Sequence, residues 1–240
     1  MKRGFITIAA ALLLSPALQA QEKSRFSVDG GITLSSAYLW RGDAVCGLHA
    51  NPDVRFHWGG FTLETYSYLA LDGSYKEIDW DLQYTLADFT LHLADYYYNF
   101  AGMRENYFSW KMGETTHVDE VALVYDCSAF PLIAKWFTFF WGDWKTDSRG
   151  LPFGVSFSSY AEIGTYRKLD RWGTVSAAVG ASVLPGTYTN YTRNFAVIHT
   201  ELKYTKTIEL DPISIPLGVT FMINPYARTC HVAAAVGLNF

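Results

Sequence analysis

The ionisable residues of this chain recur at alternate positions, a spacing that suits a charged lining better than a reaction centre. Arg55 with His57, Asp79 with Asp81, and His199, Glu201 and Lys203 each lie two residues apart. In an extended chain such residues share one face. Asp29, Arg41, Glu64, His92 and Glu162 belong to the same set, because each falls opposite an apolar neighbour. A ring of such groups selects ions or small polar solutes by charge. The same residues can instead form an internal salt-bridge network that holds a lumen shut. Arg41, beside Tyr38 and Trp40, carries a guanidinium suited to an anionic solute or a lipopolysaccharide phosphate. A carboxylate inside the lumen is its other natural partner.

No catalytic residue is expected. Nucleophilic catalysis needs a nucleophile hydrogen-bonded to a base, and neither an H-x-S nor a G-x-S-x-G spacing occurs. His57, His92 and His199 fall on the charged face. A metal site built on His92 and Asp95, or on the histidines, has no supporting spacing. Cys46, Cys127 and Cys230 lack the paired C-x-x-C pattern of zinc sites. Neither a cofactor nor a metal is therefore expected.

The elements that must carry these residues are strands. The stretch 231–240 puts Val232, Ala234, Val236, Leu238 and Phe240 on one face, with His231, Ala233, Ala235, Gly237 and Asn239 on the other. Similar alternation runs from Phe26 to Arg41, with Tyr38 and Trp40 expected at an outer interface. Further strands are read at 53–58, 61–71, 78–86 and from Phe89, then at 117–125, 132–141, 153–166, 175–183, 195–205 and 213–223. Aromatics on both sides of 132–141 leave its orientation open. Ile198 is grouped with Leu202 and Tyr204, opposite His199, Glu201 and Lys203. Gly59-Gly60, Asp72-Gly73 and Ala87-Asp88 mark tight turns. Pro52 and Pro216 interrupt ladders and suggest bulges. The longest loop spans about 100–115.

The count is twelve, with ten or fourteen as alternatives, and brief turns follow even strands while generally longer connections follow odd ones. An antiparallel transmembrane β-barrel shows that rhythm. Strands about 4.8 Å apart and tilted about 40° give twelve strands a backbone diameter of roughly 24 Å, and inward side chains narrow this to roughly 10 Å.

Composition agrees. Aromatics make up 17% of the chain, which suits the girdles of a membrane barrel. Lys2 and Arg3, an apolar run from Phe5 to Leu14, and the stretch Pro16 to Ala20, which ends in a small residue suited to cleavage before Gln21, read as a secretory signal. The barrel is then expected over 21–240, and the expected location is a bacterial outer membrane. With Lys2 and Arg3 gone, 17 basic residues face 23 acidic ones, a net charge of −6, which argues against a nucleic-acid partner. In an oxidising compartment three cysteines allow one disulfide. Closure brings the first and last strands together, so Cys46–Cys230 is the expected pair and Cys127 the free thiol.

Ser36-Ala37-Tyr38-Leu39-Trp40-Arg41-Gly42 resembles the S-x-Y-x-x-R-G stretch of TorF-type porins of Gram-negative bacteria. Trp141-Gly142-Asp143, Ser159-Tyr160-Ala161-Glu162 and Asn224-Pro225 extend the likeness over most of the mature chain, though 96–116 shows little of it. A final strand ending on Phe240 also resembles the carboxy-terminal signal read by barrel-assembly machinery. The resemblance implies an outer-membrane barrel with a pore, and brings no substrate and no catalytic residues. The sequence reading is thus a channel for passive diffusion of small polar solutes or ions, in contact with lipid and lipopolysaccharide. The alternatives are a closed structural or adhesive barrel acting through its loops, and a lipid-modifying enzyme similar to outer-membrane phospholipase A.

Overall fold

A computed structural model describes residues 26–240. The expected secretory signal lies outside the described residues. The strands are β1 (Phe26–Ser35), β2 (Tyr38–Trp40), β3 (Asp43–Cys46), β4 (His49–Trp58), β5 (Phe61–Ala70), β6 (Tyr75–Leu86), β7 (Phe89–Phe100) and β8 (His117–Asp126). They continue as β9 (Leu132–Trp141), β10 (Trp144–Thr146), β11 (Pro152–Val155), β12 (Ser159–Lys168), β13 (Thr174–Ser182), β14 (Ala196–Leu210), β15 (Ile213–Asn224) and β16 (Thr229–Asn239). Twelve of them close an antiparallel barrel in the order β1-β16-β15-β14-β13-β12-β9-β8-β7-β6-β5-β4. The pairs β2–β3 and β10–β11 are separate two-stranded hairpins inside long connections.

Alternation sorts the barrel wall. Val28, Ile32, Leu34, Phe56, Trp58, Leu82, Leu91, Leu93, Leu202, Val219, Phe221, Val232 and Leu238 are all exposed. They form an apolar belt outside, while the charged set points inward. The seam is β1 against β16, from Gly31↔Asn239 to Ser35↔Ala235. One end of the barrel has the tight connections at 59–60, 87–88 and 211–212. The other, the loop end, carries 36–48, 101–116, 142–158 and 183–195.

Four expectations about the strands are corrected. The first strand stops at Ser35 rather than Arg41. The Ser36 hydroxyl accepts the Ala234 amide at 2.9 Å, and the Ser36 amide donates to the Ala234 carbonyl at 2.9 Å, so the chain turns at the seam and enters the barrel. Tyr38 and Trp40 therefore lie inside, not at an outer interface. The second strand begins at His49. The β1–β4 ladder runs through Pro52, while the β4–β5 ladder breaks between Ala50 and Asp53. There the Asn51 side chain donates to the Ser67 carbonyl at 2.7 Å, filling the gap that the proline opens. The eighth barrel strand is Ser159–Lys168, because 152–155 is taken by the β10–β11 hairpin. Finally, a bulge opposite Gly180 and Ala181 turns Ile198 inward, where it packs with Tyr160 and Ala196.

Candidate functional site

At the loop end the lumen is filled from within. The β2–β3 hairpin turns at Arg41 and Gly42, whose φ angles are 44° and 99°. Two successive positive φ values define a tight hairpin turn that glycine favours. Gly42 is also pressed against the far wall, since a Cβ there would lie 1.9 Å from the Ile198 carbonyl oxygen. This seating carries the Arg41 side chain into the barrel. Its guanidinium donates to both oxygens of Glu120 on β8, at 2.6 and 2.7 Å, and to the Tyr188 hydroxyl. The Tyr96 hydroxyl donates to the same carboxylate at 3.0 Å. The guanidinium carbon lies 4.2 Å from the ring centre of Phe137, 4.8 Å from Trp40 and 5.0 Å from Tyr160. The two side chains are 8% and 1% exposed. The arrangement is a bidentate, aromatic-walled ion pair across the lumen.

Below it the expected residues gather in two groups. On the β1–β4–β5–β6 wall, Arg55 reaches Glu64 at 2.8 Å, Asp53 at 3.0 Å and Asp29 at 3.2 Å. His57 meets Asp29 at 2.7 Å, and His92 meets Asp81 at 2.9 Å. The Gln83 amide donates to Asp81 at 2.9 Å. On the facing wall, Lys135 pairs with Glu162 at 2.7 Å and the Tyr160 hydroxyl donates to Glu162 at 2.6 Å. His199 lies 3.9 Å from Glu162 and 4.0 Å from Glu201. Lys203 lies on the same face, opposite Thr220, and forms no ion pair among the described residues. Asp79 is fully buried beside Glu77, with no hydrogen-bond donor on either carboxylate oxygen.

The segments 36–42, 141–143 and 224–225 converge at the loop end. Gly142 has φ 80°, and a Cβ there would lie 2.1 Å from the His117 carbonyl oxygen. Asp143 accepts the Ser158 amide at 2.9 Å and the Tyr191 hydroxyl at 3.0 Å. The Ser158 hydroxyl accepts the Thr187 amide at 2.8 Å. Asn224 is buried and accepts the Ala227 amide at 2.9 Å. These contacts tie the long loops together around the entrance. They leave a cavity of about 510 Å³ between the ion pair and the loops, lined chiefly by tyrosine, tryptophan and phenylalanine.

The loop 101–116 takes no part in filling the lumen. It folds back over the outer wall. The indole of the outward Trp80 donates to the Tyr107 hydroxyl at 3.0 Å, and the Asn106 amide donates to the Tyr97 hydroxyl at 2.9 Å. Beneath it, outward-facing His117 is 1% exposed, stacked on Trp110 at 4.2 Å. Its Nδ1 lies 2.8 Å from Asp95 and its Nε2 2.6 Å from the Tyr107 carbonyl.

All three cysteines are free. The expected Cys46–Cys230 bond is not formed, although the segments do meet at the seam. Cys230 is exposed, on the outward face with Val232 and Ala234, while Cys46 ends the hairpin that has turned inward opposite Tyr38. His92 and Asp95 fall on opposite faces of β7, so they form no common site.

Several interior residues escape a reading by pattern. Glu120 sits on a strand whose alternation is blurred, because His117 and Asp119 are polar yet face outward under the strap. Tyr188 lies in a loop and has no strand signal at all. Glu77 was legible, two residues before Asp79 on the same face. Lys135 was masked by the aromatics on both sides of β9.

No protein-family model matches the chain, and no curated protein matches it. Among solved structures it is similar to the NanC porin, with a TM-score of 0.46 and 11% identity over 89% of this chain and 99% of that one. It is also similar to the KdgM porin, with a TM-score of 0.48 and 7% identity over 89% and 97% of the two chains. An outer membrane channel from Pseudomonas putida F1 aligns with a TM-score of 0.45 and 10% identity over 91% and 96%.

Proposed function

We propose that the protein is an outer-membrane channel that passes small polar solutes or ions through a lumen narrowed by the Arg41–Glu120 pair. The observation that carries this reading is the segregation of charge across one closed wall. The outward face is an apolar belt suited to lipid. The inward face bears Asp29, Arg55, His57, Glu64, Asp79, Asp81, His92, Glu162, His199, Glu201 and Lys203, with Arg41 brought in on its hairpin. A charged interior of this kind conducts and discriminates by field strength and width. Lipid and lipopolysaccharide would be its neighbours, and β16, leading to Phe240, the element offered to the assembly machinery.

The burial of Arg41 and Glu120 favours a second reading, a closed barrel that works through its loops. A lipid-hydrolysing wall is less well supported. The one histidine on the outer wall of the barrel strands near the loop end, His117, has both ring nitrogens occupied by Asp95 and Tyr107, which leaves none to activate a serine.

Refolded protein spanning 21–240 is inserted into a planar bilayer after heat-dependent gel mobility has verified its folding. Discrete current steps support the channel. Silence from folded protein overturns it in favour of the closed barrel, and phospholipid hydrolysis by the same sample would revive the enzyme.

A further inference from the structure

The cavity at the loop end has a composition of its own. Its walls include the rings of Tyr38, Trp40, Tyr75, Tyr96, Tyr98 and Phe139. The charged residues lining it are Glu77 and Asp143, and no lysine, arginine or histidine lines it among the described residues. Asp143 is engaged by Ser158 and Tyr191. Glu77 is buried, accepts the Tyr75 hydroxyl and has Tyr38 and Asp79 against its carboxyl, but no cation. Next to it on the same face lies Asp79, 0% exposed, with both oxygens unpartnered. Buried carboxylates without a compensating cation are costly. The neighbouring Arg41 does not supply that cation, because its guanidinium is held by both oxygens of Glu120.

Aromatic rings present a negative face, and a ring of them around a buried carboxylate is a receptor for an organic cation. The chain already uses this chemistry at the cavity's edge, since the Arg41 guanidinium lies over Trp40 and Phe139, which also wall the cavity. We propose that the cavity is a binding site for a small organic cation of the amine or quaternary ammonium class, held over the tyrosine and tryptophan faces with Glu77 as counter-ion. The proposal rests on the channel reading, of which it names the solute class. A volume of about 510 Å³ accommodates a compact cation with part of its hydration shell.

Choline is the probe, with its uncharged carbon isostere dimethylbutanol as control. Both are titrated into the refolded protein in detergent micelles, followed by calorimetry and by tryptophan fluorescence. Choline should bind saturably and the isostere at least about tenfold more weakly. Glu77→Gln and Tyr98→Leu should each weaken choline by about tenfold or more. If Glu77→Gln fails to fold, Tyr98→Leu carries the comparison. Equal binding of choline and its isostere, absence of choline binding, or glucose binding in preference to choline would each overturn the proposal. Bilayer conductance separates the two readings. A conducting protein that ignores choline refutes the cation site alone, and a non-conducting protein that binds choline refutes the open channel alone.

Discussion

Arg41 is the residue on which the interior turns. Its guanidinium and the Glu120 carboxylate are both removed from water, and each makes the other tolerable. Removing one partner leaves a buried, uncompensated charge. Arg41→Ala is therefore expected to lower the unfolding free energy by roughly 3–5 kcal/mol, read as a shift of the urea midpoint in lipid vesicles. The paired change Arg41→Met with Glu120→Leu should recover most of that loss, because apolar groups of similar volume need no partner. A double variant as unstable as Arg41→Ala would show that Phe137, Trp40 and Tyr160, rather than Glu120, hold the arginine. Lys203 is the contrast. It faces the same lumen without an ion pair among the described residues.

At the scale of elements, two pieces outside the barrel ladder define the loop end from opposite sides. The inner piece is the β2–β3 hairpin. Gly42 allows it in two ways, by its positive φ and by its contact with the Ile198 carbonyl. Gly42→Val fails on both counts. It should unseat the hairpin, withdraw Arg41 and raise single-channel conductance by about twofold as the narrowest section widens. Unchanged conductance in folded protein would mean that the hairpin is not the constriction. The outer piece is the 101–116 strap, latched by His117 between Asp95 and Tyr107. His117→Ala removes two buried hydrogen bonds worth about 1–3 kcal/mol together. Local opening should rise by about tenfold or more, seen as faster tryptic cleavage at Arg104 and Lys111. Heat-dependent gel mobility should persist, because the strap lies outside the closed ladder.

For the whole molecule the relevant property is its uneven charge. The wall from β1 through β6 carries Asp29, Asp53 and Glu64 around Arg55, with Glu77, Asp79 and Asp81 beyond them, while the facing wall mixes Lys135 and Lys203 with Glu162 and Glu201. Cations should therefore cross more readily than chloride, measured as a reversal potential in a salt gradient. The preference should fade at high salt, because the screening length shrinks from about 10 Å at roughly 0.1 M to about 3 Å at roughly 1 M. Anion preference at low salt would show that Arg41 and Lys203 dominate the field.

Alternation was enough to indicate a closed antiparallel barrel of about twelve strands and the faces of most of them, though not of 132–141, because a pleated strand with one apolar and one polar side has a single way to face lipid. The bounds of β9 and the short turns at 59–60 and 87–88 follow from the same local rules. What the tertiary structure decided lies off the ladder. Ser36 reads as one more strand residue until closure brings the Ala234 amide to its hydroxyl and turns the chain inward. Ile198 is an outward residue by parity until a bulge reverses it. Glu120 and Tyr188 lie 79 and 147 positions from Arg41, and no local pattern encodes such a meeting. Cys46 and Cys230 share a seam yet stand on opposite sides of it, because the hairpin that carries one has gone into the barrel. Period-two chemistry is local and so can be read along the chain. The filling of the lumen is a contest among distant loops for one enclosed space, and only the closed barrel sets which of them occupies it.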